Sequence, residues 1–343
     1  MKKYLLYIAL GLLAGYTFIF FFTWCFHPSQ VVWIRLMEAS EKWERQIRHS
    51  NEPCCILVGG SEISFSVNPE HILKETGLRL VNASTGASSG LLCNTEMAMR
   101  FIKPGDTVIL SIININNSSI SPTTHGLQLT LKKRGIHSIT NRLIPFSANN
   151  ISIALRGDSV SYATYLASLL YPEKATYAYQ RKEAQLQPSG WIQLSYEKMD
   201  KATWLLFPLS VLTNHLGDYH RNFKETSHQH FLDIKEVVNR KGAKLCAHMP
   251  VWLAHESMRA LHAWKALQLT RLGIPVLKDE RLGVCSDPTQ FADSSLHLKP
   301  RAVKENSLII AKAIQNQSYW TEQELLHILH ELGWNEDGSL HTN

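Results

Sequence analysis

The sequence has no CxxC pair and no Cys/His spacing of the kind a zinc site needs, although it holds six cysteines. No metal and no cofactor is therefore expected. No run of five or more basic residues occurs, so the net charge of +6 is spread along the chain, which leaves only a weak footprint for nucleic acid, and no nucleic-acid partner is expected. A GxSxG elbow is absent too, because Ile63 stands where the second glycine would follow Ser61. Cys54, Cys55 and Cys246 lie in apolar, strand-like runs, which suits packing; a disulfide stays open, since pairing cannot be read from sequence.

What is present begins with residues 4–22, which carry no charge and follow Lys2 and Lys3. As a helix this run spans about 28 Å, roughly the hydrocarbon thickness of a bilayer. A cleaved signal peptide has a shorter apolar region followed by small residues, whereas this one ends in Phe-Phe-Thr-Trp-Cys-Phe. The bulky neighbours of Cys25 argue against lipid attachment there. The expectation is one transmembrane helix, an uncleaved signal anchor over residues 1–26 in the cytoplasmic (inner) membrane. Lys2 and Lys3 place its N-terminus inside and the main domain in the extracytoplasmic or periplasmic space. The alternative is a buried core helix.

Residues 31–50 set Val32, Leu36, Trp43 and Ile47 at helical spacing among charges, which predicts an amphipathic stalk helix within 27–52, ended by Pro53. Short apolar strands are then expected at 55–58, 80–82, 107–113 and 244–249, with another beginning in 273–277. Helices are expected near 69–76, 90–101, 231–239, 256–272, 301–315 and 322–332. Alternation of this kind argues for an α/β fold, a three-layer sandwich with a mostly parallel sheet, over 53–318. Residues 118–230 form an insertion or cap, and 319–343 a C-terminal helix and tail. In such folds ligands sit beyond the carboxyl ends of the strands.

The first strand ends in Gly59-Gly60-Ser61. There a serine either projects its hydroxyl as a nucleophile or caps the next helix. The second ends in Asn82-Ala83-Ser84-Thr85-Gly86, whose small residues suit backbone N–H donation to an oxyanion or a polar loop. The third ends in Asn114-Ile115-Asn116-Asn117, where an amide can donate to the same charge or close a turn. Asp293-Ser294-Ser295-Leu296-His297 precedes the last core helix, and an imidazole oriented by a carboxylate is what makes serine a nucleophile.

Serine, glycine, asparagine, then Asp and His on successive strand ends: this order resembles the SGNH (GDSL-like) hydrolase superfamily, of flavodoxin-like architecture. The resemblance covers 54–117 and 242–315. It implies Ser61 as nucleophile, an oxyanion hole from Ser61, Gly86 and Asn116, and Asp293 and His297 as the remaining catalytic pair. Three departures stand out: Gly60 replaces the usual Asp, Asn114 replaces a usual glycine, and Asp293 lies four residues before His297 rather than three. Asp287 is a poorer substitute for it.

With its anchor, the chain resembles the membrane-bound subgroup that serves teichoic-acid D-alanylation and polysaccharide O-acetylation. That resemblance implies a serine acyltransferase or esterase acting on a cell-envelope polysaccharide, a teichoic-acid-like substrate or its acyl donor. The implied partners are the lipid bilayer and a membrane-bound O-acyltransferase. The alternative is a catalytically degenerate accessory subunit of such a complex.

Overall fold

The computed structural model describes residues 2–26, 28–48, 52–86, 89–113, 120–134, 142–144, 184–194, 225–256, 258–292 and 295–337, with the side chains of 2, 19–31, 124, 184, 194, 225 and 226 outside that description. Helices α1 (Lys2–Phe26) and α2 (Pro28–Ile47) lead into β1 (Cys55–Val58), α3 (Ser61–Ser64), α4 (Pro69–Thr76), β2 (Leu80–Asn82), α5 (Leu91–Ala98) and β3 (Thr107–Ser111). Then come α6 (Thr124–Arg134), β4 (Ala184–Gln187), β5 (Trp191–Leu194), α7 (Glu225–Arg240), β6 (Lys244–His248), β7 (Trp252–Leu253), α8 (Met258–Arg271), β8 (Val284–Cys285), α9 (Pro300–Gln315) and α10 (Glu322–Glu331).

The central sheet runs β2-β1-β3-β6, every pair parallel. Its strands are apolar along their length because both faces are covered. Ile56, Val58, Val108 and Leu110 point into one cluster with Leu36 and Met37 of α2, Met97 of α5, Phe231 of α7 and Trp264 of α8. Cys55, Leu57, Ile109 and Cys246 alternate to the other face, against Ile72 of α4 and Ile310 of α9. The result is the expected α/β architecture, a mostly parallel sheet between two helical layers. The strand expected within 273–277 is reduced to two isolated bridges, Ala247 to Val276 parallel and Leu277 to Tyr319 antiparallel.

Local chemistry sets several boundaries. Asn68 caps α4 by accepting the His71 N–H at 3.0 Å, Pro69 opens the helix, and Gly77 closes it in the left-handed region at φ 71°. Thr321 and Glu324 cap α10 reciprocally. Leu325 and Leu329 then bury that helix in the main core with Trp320 and Trp334. The Pro188-Ser189-Gly190 segment closes the antiparallel pair β4–β5, and Gly190 lies against Ser40 of α2.

Helix α2, expected as a stalk, instead packs along the domain, and it does so antiparallel to the strands. Near its start Trp33 lies against Gly86, beyond the carboxyl end of β2. Farther along, Trp43 Nε1 donates to the carbonyl of Leu80, the first residue of β2, at 3.0 Å. Just past its end Arg48 donates from two nitrogens to Asp106, both at 2.9 Å, immediately before β3. Burial removes most of the solvent screening that weakens surface ion pairs, so this pair fixes α2 at the amino edge of the sheet.

The expected transmembrane helix falls on α1, whose described apolar side chains are exposed on all sides, from Tyr4 at 76 % to Phe18 at 66 %. Among the described residues no helix is long and apolar enough to cross a membrane, so the structure does not bear out that expectation. The described cysteines, Cys54, Cys55, Cys93, Cys246 and Cys285, are free.

Candidate active site

Four strands deliver their carboxyl ends to one edge, and β1 supplies the turn that matters most. Gly60 is the residue before α3 and contributes no side-chain cap, so Ser61 begins the helix without capping it. Ser61 is therefore the first residue of α3 and not its cap. Ser61 is partly exposed, while Glu62, Ile63 and Ser64 behind it are buried.

The buried side of the turn is polar. Glu62 Oε1 accepts the Gly60 N–H at 2.8 Å, folding the carboxyl back beneath the glycines. A Cβ on Gly59 would stand 2.7 Å from that oxygen and 2.7 Å from Ser111 Cβ, so the space glycine leaves is filled by Glu62 and β3. Burial pushes the Glu62 carboxyl up; opposing it are the Gly60 N–H, its own backbone N–H, the Ser111 hydroxyl and, last, the field of His297. His248, paired with Ser111 across β3 and β6, is also buried, and neither ring nitrogen has a hydrogen-bond partner among the described residues. Burial holds its imidazole down at about 4, with Asp279 opposing and Arg281 adding.

His297 comes to the same edge. Its ring stacks on Phe65 with centroids 4.2 Å apart. Phe65 is one helical turn past Ser61, and its N–H donates to the Ser61 carbonyl at 3.0 Å. Ser66 Oγ donates to the Leu296 carbonyl at 2.9 Å and accepts the Leu298 N–H at 3.4 Å, stitching the two segments on either side of His297. From α9, Asn306 Nδ2 donates to the Ser66 carbonyl at 2.9 Å. Ser61 and His297 are therefore carried by segments locked to each other, although 236 residues separate them by number, 297 less 61.

Gly86 reaches this edge in a different way. It is buried, and a Cβ there would lie 2.8 Å from Trp33 Nε1, so the indole of α2 occupies the space that glycine leaves. Its carbonyl accepts the Ser89 N–H at 2.9 Å. Beside it Ser84 bonds Ser64 at 2.8 Å between hydroxyls, and Thr85 donates to Asn94, making the second strand end a buried polar network. Asn116 and Asp293 lie outside the described residues, as does Asn114.

The sequence reading missed Lys265. This lysine of α8 is fully buried, and its Nζ donates to the carbonyl of Ile113, just beyond β3, at 2.6 Å. Burial pulls its amine down to about 7. The same Nζ lies 5.9 Å from the ring centre of Trp252, whose Nε1 donates to Ser295 Oγ at 2.9 Å, two residues before His297. Lys265 and Trp252 thus link the third strand end to the histidine loop. The signal was there in α8: Lys265 has Leu261 and Leu269 one turn to either side, on the buried stripe. Asp287, the poorer carboxylate candidate, is exposed and bonds Thr289 N at 2.9 Å, capping a short turn.

Among the described residues no group of His, Cys, Asp and Glu is placed to hold a metal ion. The arrangement offers instead a half-exposed hydroxyl and an imidazole on stitched segments, over a buried carboxyl. No family model, curated protein or solved structure matches this chain.

Proposed function

We propose that this protein is a membrane-anchored serine acyl-transfer enzyme of SGNH type, an O-acyltransferase or esterase acting on a cell-envelope glycan or its acyl donor. The observation that carries the reading is the stitching of the Ser61 turn to the His297 loop through Ser66 and Phe65. Ser61 Oγ attacks an ester or thioester carbonyl while His297 takes its proton. The acyl–oxygen or acyl–sulfur bond then breaks, and the leaving group departs with that proton. Water or a sugar hydroxyl attacks the acyl-serine and gives its proton to His297; the acyl–Oγ bond breaks, His297 returns the proton to Ser61 Oγ, and the acid or the acylated sugar is released. In this reading Asp293 orients the imidazole, and Ser61, Gly86 and Asn116 hold the oxyanion.

Attachment to the membrane is part of the proposal. A helix apolar on every side needs either a protein core or lipid around it, and the described apolar side chains of α1 are exposed. Its Thr17 hydroxyl donates to the Leu13 carbonyl at 2.8 Å, which removes one polar group from that surface. Lys2 and Lys3 favour an orientation with the catalytic domain on the far, extracytoplasmic side, beside a membrane-bound O-acyltransferase.

One observation favours the accessory-subunit alternative: Trp33 covers Gly86, a residue the catalytic reading needs near the substrate. Turnover of an activated ester by the full chain and by Ser61→Ala decides between them. The catalytic reading expects a loss of at least about 10³-fold. Equal turnover by both proteins supports the accessory role.

A further inference from the structure

The direction of α2 fixes which edge of the sheet lies toward α1. Strands β1, β2, β3 and β6 all run toward the edge that bears Ser61 and His297. Helix α2 runs the opposite way, from Trp33 at Gly86 to Arg48 at Asp106. Its first residue, Pro28, is five positions before Trp33, about 7.5 Å along a helix axis. Phe26, the last residue of α1, is two positions earlier still. The exposed apolar helix therefore joins the domain at the carboxyl edge, roughly two turns beyond the level of Gly86.

We infer that the carboxyl edge, with Ser61 and His297, faces the membrane surface that α1 enters, and that the ester attacked there is carried by a lipid. This rests on the acyl-transfer and anchoring reading and adds to it a substrate class and an orientation. A helix running parallel to the strands would have put the site on the far side of the domain, a full strand length away from the bilayer. The antiparallel run instead brings it within reach of a headgroup-borne ester, while a polymer strand deep in the envelope would have to approach the membrane.

Helix α9 provides a ruler for the test. Arg301 and Lys312 are both exposed, and Arg301 stands four residues after His297 at the carboxyl end of the sheet. Lys312 is about 16 Å farther down the same helix. Arg301→Cys and Lys312→Cys are made in the full chain with Cys25 and Cys285 changed to Ser, labelled with a fluorophore, and reconstituted in phospholipid vesicles carrying a headgroup quencher. The inference expects quenching at position 301 at least about twofold above that at 312, given that separation. Equal quenching, or more at 312, overturns the orientation.

A second measurement uses one activated ester in two forms, free in solution and tethered to a phospholipid headgroup by a short linker. An insertion of roughly fourteen helix-forming residues between Gln30 and Val31 lifts the domain by about 21 Å. It is expected to lower turnover of the tethered ester at least tenfold and to leave the soluble ester unchanged. Unchanged turnover of both overturns the lipid-borne substrate, and points to an acyl group handed over by a membrane protein if 301 remains the closer position. Ser61-independent turnover of the soluble ester defeats the acyl-transfer reading alone, because quenching still reports orientation. A full chain that does not float with vesicles defeats the anchor, and this inference with it.

Discussion

The His297 imidazole lies on the Phe65 ring, centroids 4.2 Å apart and planes inclined by 27°. Phe65 is fully buried and follows Ser61 by one helical turn, so the ring that supports the candidate base is built from the same turn as the candidate nucleophile. Phe65→Leu keeps an apolar side chain but gives the imidazole no flat surface. It is expected to cost about 1–3 kcal/mol of stability in denaturant titrations. Ester turnover should fall further than stability suggests, by about 10–100-fold in kcat with KM little changed, because a small displacement of a proton-transfer group is costly. Wild-type turnover in this variant would remove Phe65 from any positioning role.

Gly59 is required by what lies against it. An added methyl group would stand 2.7 Å from both Glu62 Oε1 and Ser111 Cβ, and 3.0 Å from Ile63 Cγ1. Neither β3 nor a buried, bonded carboxyl can withdraw freely. Gly59→Ala is expected to lower stability by about 1–3 kcal/mol through overpacking. A thermal midpoint equal to wild type would show that the turn relaxes more readily than its packing implies.

Glu62 gives the protein a pH dependence of definite sign. Burial raises its carboxyl above the ordinary value, so the folded state holds its proton where the unfolded state has released it. Stability from this group is fully present below the ordinary carboxyl range and declines as pH rises through it toward the folded value. Glu62→Gln keeps an oxygen for the Gly60 N–H and cannot ionise. Thermal midpoints measured across that window should fall less steeply with rising pH in the variant. An unaltered slope would mean that Glu62 ionises as readily folded as unfolded.

Lys265 titrates in the opposite direction. Its amine is pulled down to about 7 by burial, so between that value and the ordinary 10.5 the unfolded chain binds the extra proton, and stability rises with pH. Lys265→Met matches the length of the side chain without the charge. The variant should lose this rise between about pH 7 and 10 while changing stability near neutrality by less than about 1.5 kcal/mol. Its ester turnover should drop, because the Ile113 carbonyl at the end of β3 loses its anchor. Full activity together with the altered pH profile would confine Lys265 to packing.

Much of the scaffold was legible. The strands at Cys55–Val58 and Leu80–Asn82 and the helix at Pro69–Thr76 appear where the sequence places them, since continuous apolar runs bounded by Pro, Gly and Asn leave few alternatives. β3 stops at Ser111, short of the expected 113, because Ile112 leaves the ladder although its N–H still reaches the His248 carbonyl at 2.9 Å. The packing of α2 was hidden, because an amphipathic pattern states that a face is buried but not against what. For the site, order along the chain singled out the segments of Ser61 and His297, which the fold brings to one edge. Glu62, His248 and Lys265 were not, since isolated charged or titratable residues are usually solvated and only three-dimensional closure buries them.

The central claim is that Ser61 is a nucleophile activated by His297. Incubation of the full chain with a fluorophosphonate, followed by peptide mass spectrometry, tests it most directly. The account predicts a covalent adduct on Ser61, absent in Ser61→Ala and formed at least about 10²-fold more slowly in His297→Gln. A folded wild-type protein that forms no adduct at Ser61, or forms it equally fast without His297, would contradict the account.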